Sequence, residues 1–280
     1  MPASDTRAPE GELATFEKYA FSNGGTTHDI YRKGTGPVVV VITEMPGISP
    51  YVLGFADRLA GMGLTAVLPD LFGTAGRDPF AGSKLSMGSY VAKTFTQICI
   101  SREFTAFAVG SSSPIIGWLR ALAHEEHERA GGPGVGAVGM CFTGGFALAM
   151  AVDDLVLAPV LSQPSLPLMT TKSRRRSIDT SDADLAVVKG RCDREGLQVL
   201  GLRFHGDPFV SAERFDFLRE RLGDGFVGVE LDQADGHPES AQAKHHSVLT
   251  GDLVDAPGEP TRAALDQVLD LFRTKLLSPA

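Results

Sequence analysis

Residues 37–43 read Pro-Val-Val-Val-Val-Ile-Thr, five consecutive β-branched side chains with no polar break. A strand with one face in water alternates apolar and polar residues, whereas an unbroken run of this kind fits a strand covered on both faces. Such strands belong to parallel sheets, and parallel neighbours must be joined by crossovers, usually helices. The chain supplies them. Pro50–Met62 places Val52, Phe55, Leu59 and Met62 on one face with Gly63 just beyond, and Leu64–Asp70 is a second apolar strand. Ile115–Ala130 is amphipathic, Val135–Met140 a strand and Phe142–Val152 a small-residue helix. Leu155–Leu161 and Val199–Phe204 are strands, Ala212–Leu222 a helix, Phe226–Leu231 a strand and Thr261–Leu277 the last helix. Before all of these, Thr15–Ser22 and Thr27–Lys33 flank Asn23-Gly24-Gly25, a hairpin signal. The pattern predicts one doubly wound, mostly parallel α/β domain over residues 15–280, preceded by a polar, flexible tail at 1–14. Residues 72–114 and 162–190, rich in Ser, Thr, Gly and Pro, read as irregular surface insertions near a site.

Charge and cysteine content narrow the function classes. With 26 basic and 34 acidic side chains the formal charge is −8, which argues against nucleic acid or an anionic membrane as the partner. Cys99, Cys141 and Cys192 form neither a disulfide framework nor a zinc-binding pair, so no metal and no cofactor are expected. The N-terminus lacks the apolar centre of a signal peptide, and no apolar run approaches the roughly 18 residues of a membrane span. A cytoplasmic globular protein is expected.

The most informative segment is Gly139-Met-Cys-Phe-Thr-Gly-Gly145. A strand ends, Cys141 takes the corner and a helix begins, which is the arrangement that lifts a nucleophile above the rim of a sheet. The first free N–H groups of the helix then face the reacting carbonyl, and the positive helix end favours a thiolate. Gly139 provides the small residue before the corner, and Gly144 and Gly145 allow close helix–sheet packing. Thr143 stands where such elbows usually carry glycine, so the turn is either slightly opened or has the Thr143 hydroxyl bonding locally. Cys99 and Cys192 lack this context and are assigned to packing.

A thiol at such a corner needs an acid and then a histidine downstream. Asp207, in Gly206-Asp-Pro-Phe-Val210 after the strand Val199–Phe204, has the position for the acid. After the last strand come His237, His245 and His246, and periodicity does not choose between His237 and His246 as the base. His205 precedes the acid as a neighbour, while His124 and His127 fall on the charged face of a helix. Glu44 ends the Val-rich strand, where a buried charge needs a partner. The backbone N–H groups of Met45 and Phe142 are placed to form an oxyanion hole.

Glu44 with Pro46-Gly47, Leu68-Pro-Asp-Leu-Phe72, the Gly139–Gly145 elbow and Gly206-Asp-Pro-Phe-Val210 together resemble the dienelactone hydrolase family over roughly residues 36–277. The resemblance implies an α/β-hydrolase fold and a cysteine nucleophile attacking an enol-lactone or activated-ester carbonyl through a thioester intermediate. Carried over, it makes Cys141 the nucleophile, Asp207 the orienting acid and His246, followed by Ser247-Val-Leu249, the base. Glu44 becomes the carboxylate that holds the resting thiol, and Arg102 a weak candidate for binding a substrate carboxylate. The Arg174–Arg176 run reads as a solvated loop that could attract an acidic ligand. The expected partner is a small-molecule ester or lactone and, at most, a second copy of the chain in a homodimer. The rival expectations are another hydrolase, such as a thioesterase or peptidase, and a non-catalytic ligand-binding protein of the same fold.

Overall fold

The computed structural model describes residues 6–79, 84–101, 103–104, 112–166, 171–240 and 243–278. Eight strands, β1 (Glu17–Asn23), β2 (Thr26–Gly34), β3 (Val38–Ile42), β4 (Thr65–Pro69), β5 (Val135–Met140), β6 (Val156–Ser162), β7 (Val199–Phe204) and β8 (Phe226–Leu231), form one sheet in the order β1-β2-β4-β3-β5-β6-β7-β8. The β1–β2 hairpin and the β2–β4 pair are antiparallel, and every pair from β4 to β8 is parallel. Eight helices accompany them: α1 (Pro50–Gly61), α2 (Lys84–Ile100), α3 (Ile115–Ala130), α4 (Gly144–Met150), α5 (Lys172–Arg175), α6 (Asp182–Glu195), α7 (Ala212–Leu222) and α8 (Pro260–Phe272), the last running on into a π turn at Arg273–Leu277.

The valine run behaves as its composition requires. Val38, Val40 and Ile42 enter the core beneath α3 and α4, while Val39 and Val41 enter the core beneath α1 and α8, all with no exposed surface. At about 25 cal/mol per Å² of apolar surface removed from water, both faces of the strand contribute to stability, and neither tolerates a charge. β3 lies between β4 and β5, so the chain's progress across the sheet reverses there. In open α/β sheets the carboxyl ends of strands at such a reversal form the crevice in which ligands bind.

Three segments depart from the sequence reading. The span 72–114 contains the 17-residue α2, and 162–190 contains α5 and most of the 14-residue α6. In α2 the buried face includes Thr94 beside Tyr90 and Ile98, so its apolar stripe is interrupted. In α6 the third buried position after Leu185 and Val188 is Arg191, whose Nη1 donates to the carbonyls of Ala151, Asp153 and Val156 at 2.9, 2.7 and 3.0 Å. A cation there satisfies orphaned carbonyls beyond the end of α4, which a hydrophobicity pattern does not register. Residues 6–14 lie along α1: Gly11 N–H donates to Pro50 O at 2.8 Å, and Ala8 is buried. Gly54 leaves room for this segment, since a Cβ there would stand 1.8 Å from Pro9 O. Among the described residues no helix is long and apolar enough to cross a membrane.

Packing across β5 is close enough to test directly. A Cβ at Gly136 would meet the Phe272 ring of α8 at 2.8 Å and Val39 at 3.2 Å, whereas the exposed helical Gly117 has open space around it. We expect Gly136→Ala to lower the denaturant-unfolding free energy by about 1–3 kcal/mol through overpacking. Gly117→Ala should raise it by about 0.5–1 kcal/mol through helix propensity. Equal effects would contradict the packing assigned to β5.

Candidate active site

At the end of β5 the chain turns within one residue. Cys141 has φ 56°, a left-handed conformation that costs a side-chain-bearing residue roughly 1–2 kcal/mol and holds the thiol at the rim, partly exposed. A single 3₁₀ turn, Cys141–Thr143, leads into α4. The bend requires glycine at 139, where a Cβ would sit 2.1 Å from Thr143 O. Gly144 likewise packs where a Cβ would approach Pro164 Cα to 2.6 Å. Thr143 acts through its hydroxyl, which is fully buried, accepts from Met140 N–H at 2.9 Å and donates to Ile42 O at 2.7 Å. The hydroxyl thus bonds locally, to Met140, and beyond that expectation it also ties the elbow to the end of β3.

The acid and the imidazole come from loops after β7 and β8. Asp207 accepts from Phe209 N–H at 2.8 Å through Oδ1 and from His246 Nδ1–H at 2.6 Å through Oδ2, and its side chain has no exposed surface. His246 is positioned by Asp252, whose Oδ2 accepts from His246 N–H at 2.7 Å and Ser247 N–H at 2.8 Å, while its Oδ1 accepts from His245 Nδ1–H at 2.8 Å. Nδ1 being committed to Asp207, the ring presents its buried Nε2 to the Cys141 sulfur. Burial opposes a charge on this ring, but the charge of the Cys141 sulfur and the bonded Asp207 carboxylate outweigh it, and His246 holds its proton well above the ordinary histidine range. His237 is also buried, but its Nδ1 accepts from Glu239 N–H at 3.2 Å; of the two histidines, His246 is the one joined to Asp207.

Glu44 stands at the carboxyl end of β3 with its carboxylate enclosed. Oε2 accepts from Gln163 Nε2 at 3.0 Å and from Ser247 Oγ at 2.8 Å, and Oε1 accepts from Thr250 Oγ1. The carboxylate expected to hold the thiol is bonded instead to the end of β6 and to the loop carrying His246. The thiol itself contacts Ser165, Sγ to Oγ 3.1 Å. Met45 and Phe142 each lie three residues beyond a register pair, Ile42 and Gly139. The Met45–Pro46 bond is cis within a turn closed by Gly47 N–H to Glu44 O at 2.8 Å. Arg102 lies outside the described residues, as does the Cys99 side chain. Of the basic run, Arg175 and Arg176 pair with Glu213 and Glu220 of α7.

Sequence reasoning passed over Gln163, Ser165, Ser247, Thr250, Asp252 and Arg214. Arg214 had a visible signal, a cation at the position of α7 that precedes the apolar Phe215, Leu218 and Leu222. Fully buried, its guanidinium donates to Ser177 O, Pro164 O, Phe209 O and Arg174 O at 2.5, 2.8, 3.2 and 2.9 Å. Burial lowers its pKa to about 10, partly offset by Asp207, so it remains charged at neutral pH. Among the described residues no group of three or more His, Cys, Asp or Glu side chains is placed to hold a metal ion.

Solved structures of low sequence identity share this architecture. A dienelactone-hydrolase-like promiscuous phosphotriesterase from metagenomic libraries is 18% identical with TM-score 0.54, covering 94% of this chain and 98% of that one. A cold-adapted esterase from an Arctic intertidal metagenomic library is 13% identical with TM-score 0.57, covering 95% and 97%. The thioesterase domain from the curacin biosynthetic pathway is 13% identical with TM-score 0.52, covering 91% and 99%. These likenesses establish the α/β-hydrolase fold. No curated protein matches the chain. The model of the dienelactone hydrolase family matches residues 28–188, more than half of the sequence. The chain therefore belongs to the dienelactone hydrolase family.

Proposed function

We propose that this chain hydrolyses activated carboxylic esters or lactones, with Cys141 as nucleophile, His246 as base and Asp207 as the group that orients the base. The observation that carries the reading is the buried Asp207–His246 bond of 2.6 Å, which turns Nε2 toward the sulfur that the elbow presents, close enough to raise the ring's hold on its proton. With the thiol proton carried by Nε2, the sulfur attacks as thiolate and forms a C–S bond, and the carbonyl electron pair moves onto oxygen. The N–H groups of Met45 and Phe142 stabilise that oxyanion, a single donor being worth about 3–4 kcal/mol. Collapse expels the leaving oxygen, which takes the proton from Nε2. Water, deprotonated by His246, then cleaves the thioester and restores the thiol.

The nucleophile selects the substrate. From a tetrahedral sulfur adduct a plain alkoxide departs less readily than the thiolate, so attack on an unactivated ester reverses. An enolate or aryl oxide leaves competitively, which favours enol esters, enol lactones and aryl esters. The fold hosts an esterase, a thioesterase and a phosphotriesterase among its structural neighbours and does not by itself select a substrate.

Three outcomes are expected. Cys141→Ala should lower kcat/KM on an aryl ester by about 10³-fold or more, and Asp207→Asn by roughly 10²–10⁴-fold, with thermal unfolding of both near wild type. Near wild-type turnover in Cys141→Ala would falsify the mechanism. Second, the His246 ring, followed by NMR, should titrate above the ordinary value of about 6.5 and fall in Asp207→Asn. Because the folded chain binds this proton more tightly than the unfolded one, its contribution to stability is complete below about pH 6.5 and lost as pH rises through the folded value. A wild-type ring titrating at or below the ordinary value is the contrary result. Third, Glu44→Ala leaves Gln163, Ser247 and Thr250 without their shared acceptor. Unfolding free energy should drop by about 1–3 kcal/mol, and kcat should fall more than KM rises as the His246 loop loosens. A KM effect alone would place Glu44 at the substrate rather than under the loop.

A further inference from the structure

We propose that Arg214 is a positioning residue for the nucleophile: its buried guanidinium ties the segment packed on the elbow to the segment carrying the acid, and supplies positive charge that keeps the Cys141 sulfur ionised. The inference rests on Cys141 being the nucleophile and adds a source for its charge to that reading.

The place of this cation is unfavourable in two ways. Arg214 is fully buried, and a charge removed from water is costly. It also stands in the first turn of α7, where the helix dipole opposes a positive side chain and favours a negative one such as its neighbour Glu213. Neutral donors would satisfy nearby carbonyls at less cost, so a full charge kept here calls for an anion that needs it. The surroundings supply two. Burial works against the charge on Arg214, and Asp207 and the Cys141 sulfur work for it. Attraction between two charges is mutual, so what the sulfur does for the guanidinium the guanidinium does for the sulfur.

The bonds carry the same link. Arg214 Nη1 donates to Pro164 O at 2.8 Å, and the N–H of that peptide unit, which belongs to Ser165, donates to Cys141 O at 2.9 Å. One peptide group thus joins the guanidinium to the residue held at φ 56°. Nη1 also donates to Phe209 O at 3.2 Å, and Phe209 N–H donates to Asp207 Oδ1 at 2.8 Å. One arm ends on the nucleophile and the other on the group that orients the base. The charges around the sulfur then come from separate elements. Glu44 after β3 and Asp207 after β7 are negative, and the proton that leaves the sulfur sits on His246 after β8. Arg214 opposes the negative groups from α7, with Arg174 and Arg175 of α5 close enough to act on its own charge.

Alkylation of Cys141 by iodoacetamide, quantified by peptide mass spectrometry from about pH 4.5 to 9 in the full chain, reads the charge on the sulfur without requiring turnover. In Arg214→Gln, which keeps a donor and loses the charge, the pH of half-maximal rate should rise by about 1, a roughly 10-fold loss of rate on the acid side. Arg214→Met, apolar and of similar length, should do the same and serves where Arg214→Gln folds poorly. Arg214→Lys, which keeps the charge and loses the forked bonds, should stay near the wild-type profile while its melting temperature drops. A purely structural role would lower stability and plateau rate without moving the pH dependence. A profile unmoved in the neutral variants, or moved as far in Arg214→Lys, therefore overturns the proposal. Loss of the hydrolase reading would be seen separately, as ester turnover that survives Cys141→Ala.

Discussion

Three carboxylates, those of Glu44, Asp207 and Asp252, are buried at the carboxyl edge of one sheet, and the geometry of the crevice follows from how each is compensated. An ionised carboxylate removed from water is costly unless its lone pairs are filled by good donors. Asp252 takes two backbone N–H groups and an imidazole, Asp207 takes a backbone N–H and the other imidazole, and Glu44 takes two hydroxyls and an amide. Nearly all of these donors lie on the loop after β8 or on the ends of β6 and β7. Satisfying the charges therefore fixes the loop, and fixing the loop fixes the ring of His246. Arg214 adds a buried positive charge whose own bonds are to carbonyls, holding the Pro164 and Phe209 segments on either side of the crevice.

Much of this was legible in the sequence where burial is uniform and illegible where it is mixed. The strands are apolar because both faces are covered, so the valine run and its successors reveal their position without reference to partners. The two long helices that escaped notice bury a polar residue, Thr94 in α2 and Arg191 in α6, and a hydrophobicity pattern breaks at such positions, while the four-residue α5 buries nothing that a pattern could register. Capping signals for α6 were present all the same: Ser181 accepts from Asp184 N–H at 3.0 Å, and Gly196 closes the helix in a left-handed conformation.

The candidate site divides along the same line. Cys141, Asp207 and Glu44 occupy strand ends, which local sequence locates. The pairing of Glu44 with Ser247 and Thr250 spans more than 200 residues and is invisible to any local pattern. His237 and His246 are both buried and both have their backbone N–H on Asp252, and what separates them is Asp207, whose carboxylate accepts from the His246 ring. Thr143 could have opened the elbow; its hydroxyl instead occupies the hollow between β3 and β5, using the bulk that a glycine would have avoided.

This division has a mechanical consequence. The elbow is anchored to β3 and β5 through Thr143, whereas the imidazole loop is anchored to β3 through Glu44 and to β7 through Asp207. The Cys141 and His246 side chains share a fixed support at the end of β3, which keeps the sulfur close enough to raise the ring's hold on its proton. An arrangement of this kind sets the separation of the two side chains through one strand end, so a change at Thr143 or Glu44 moves one relative to the other.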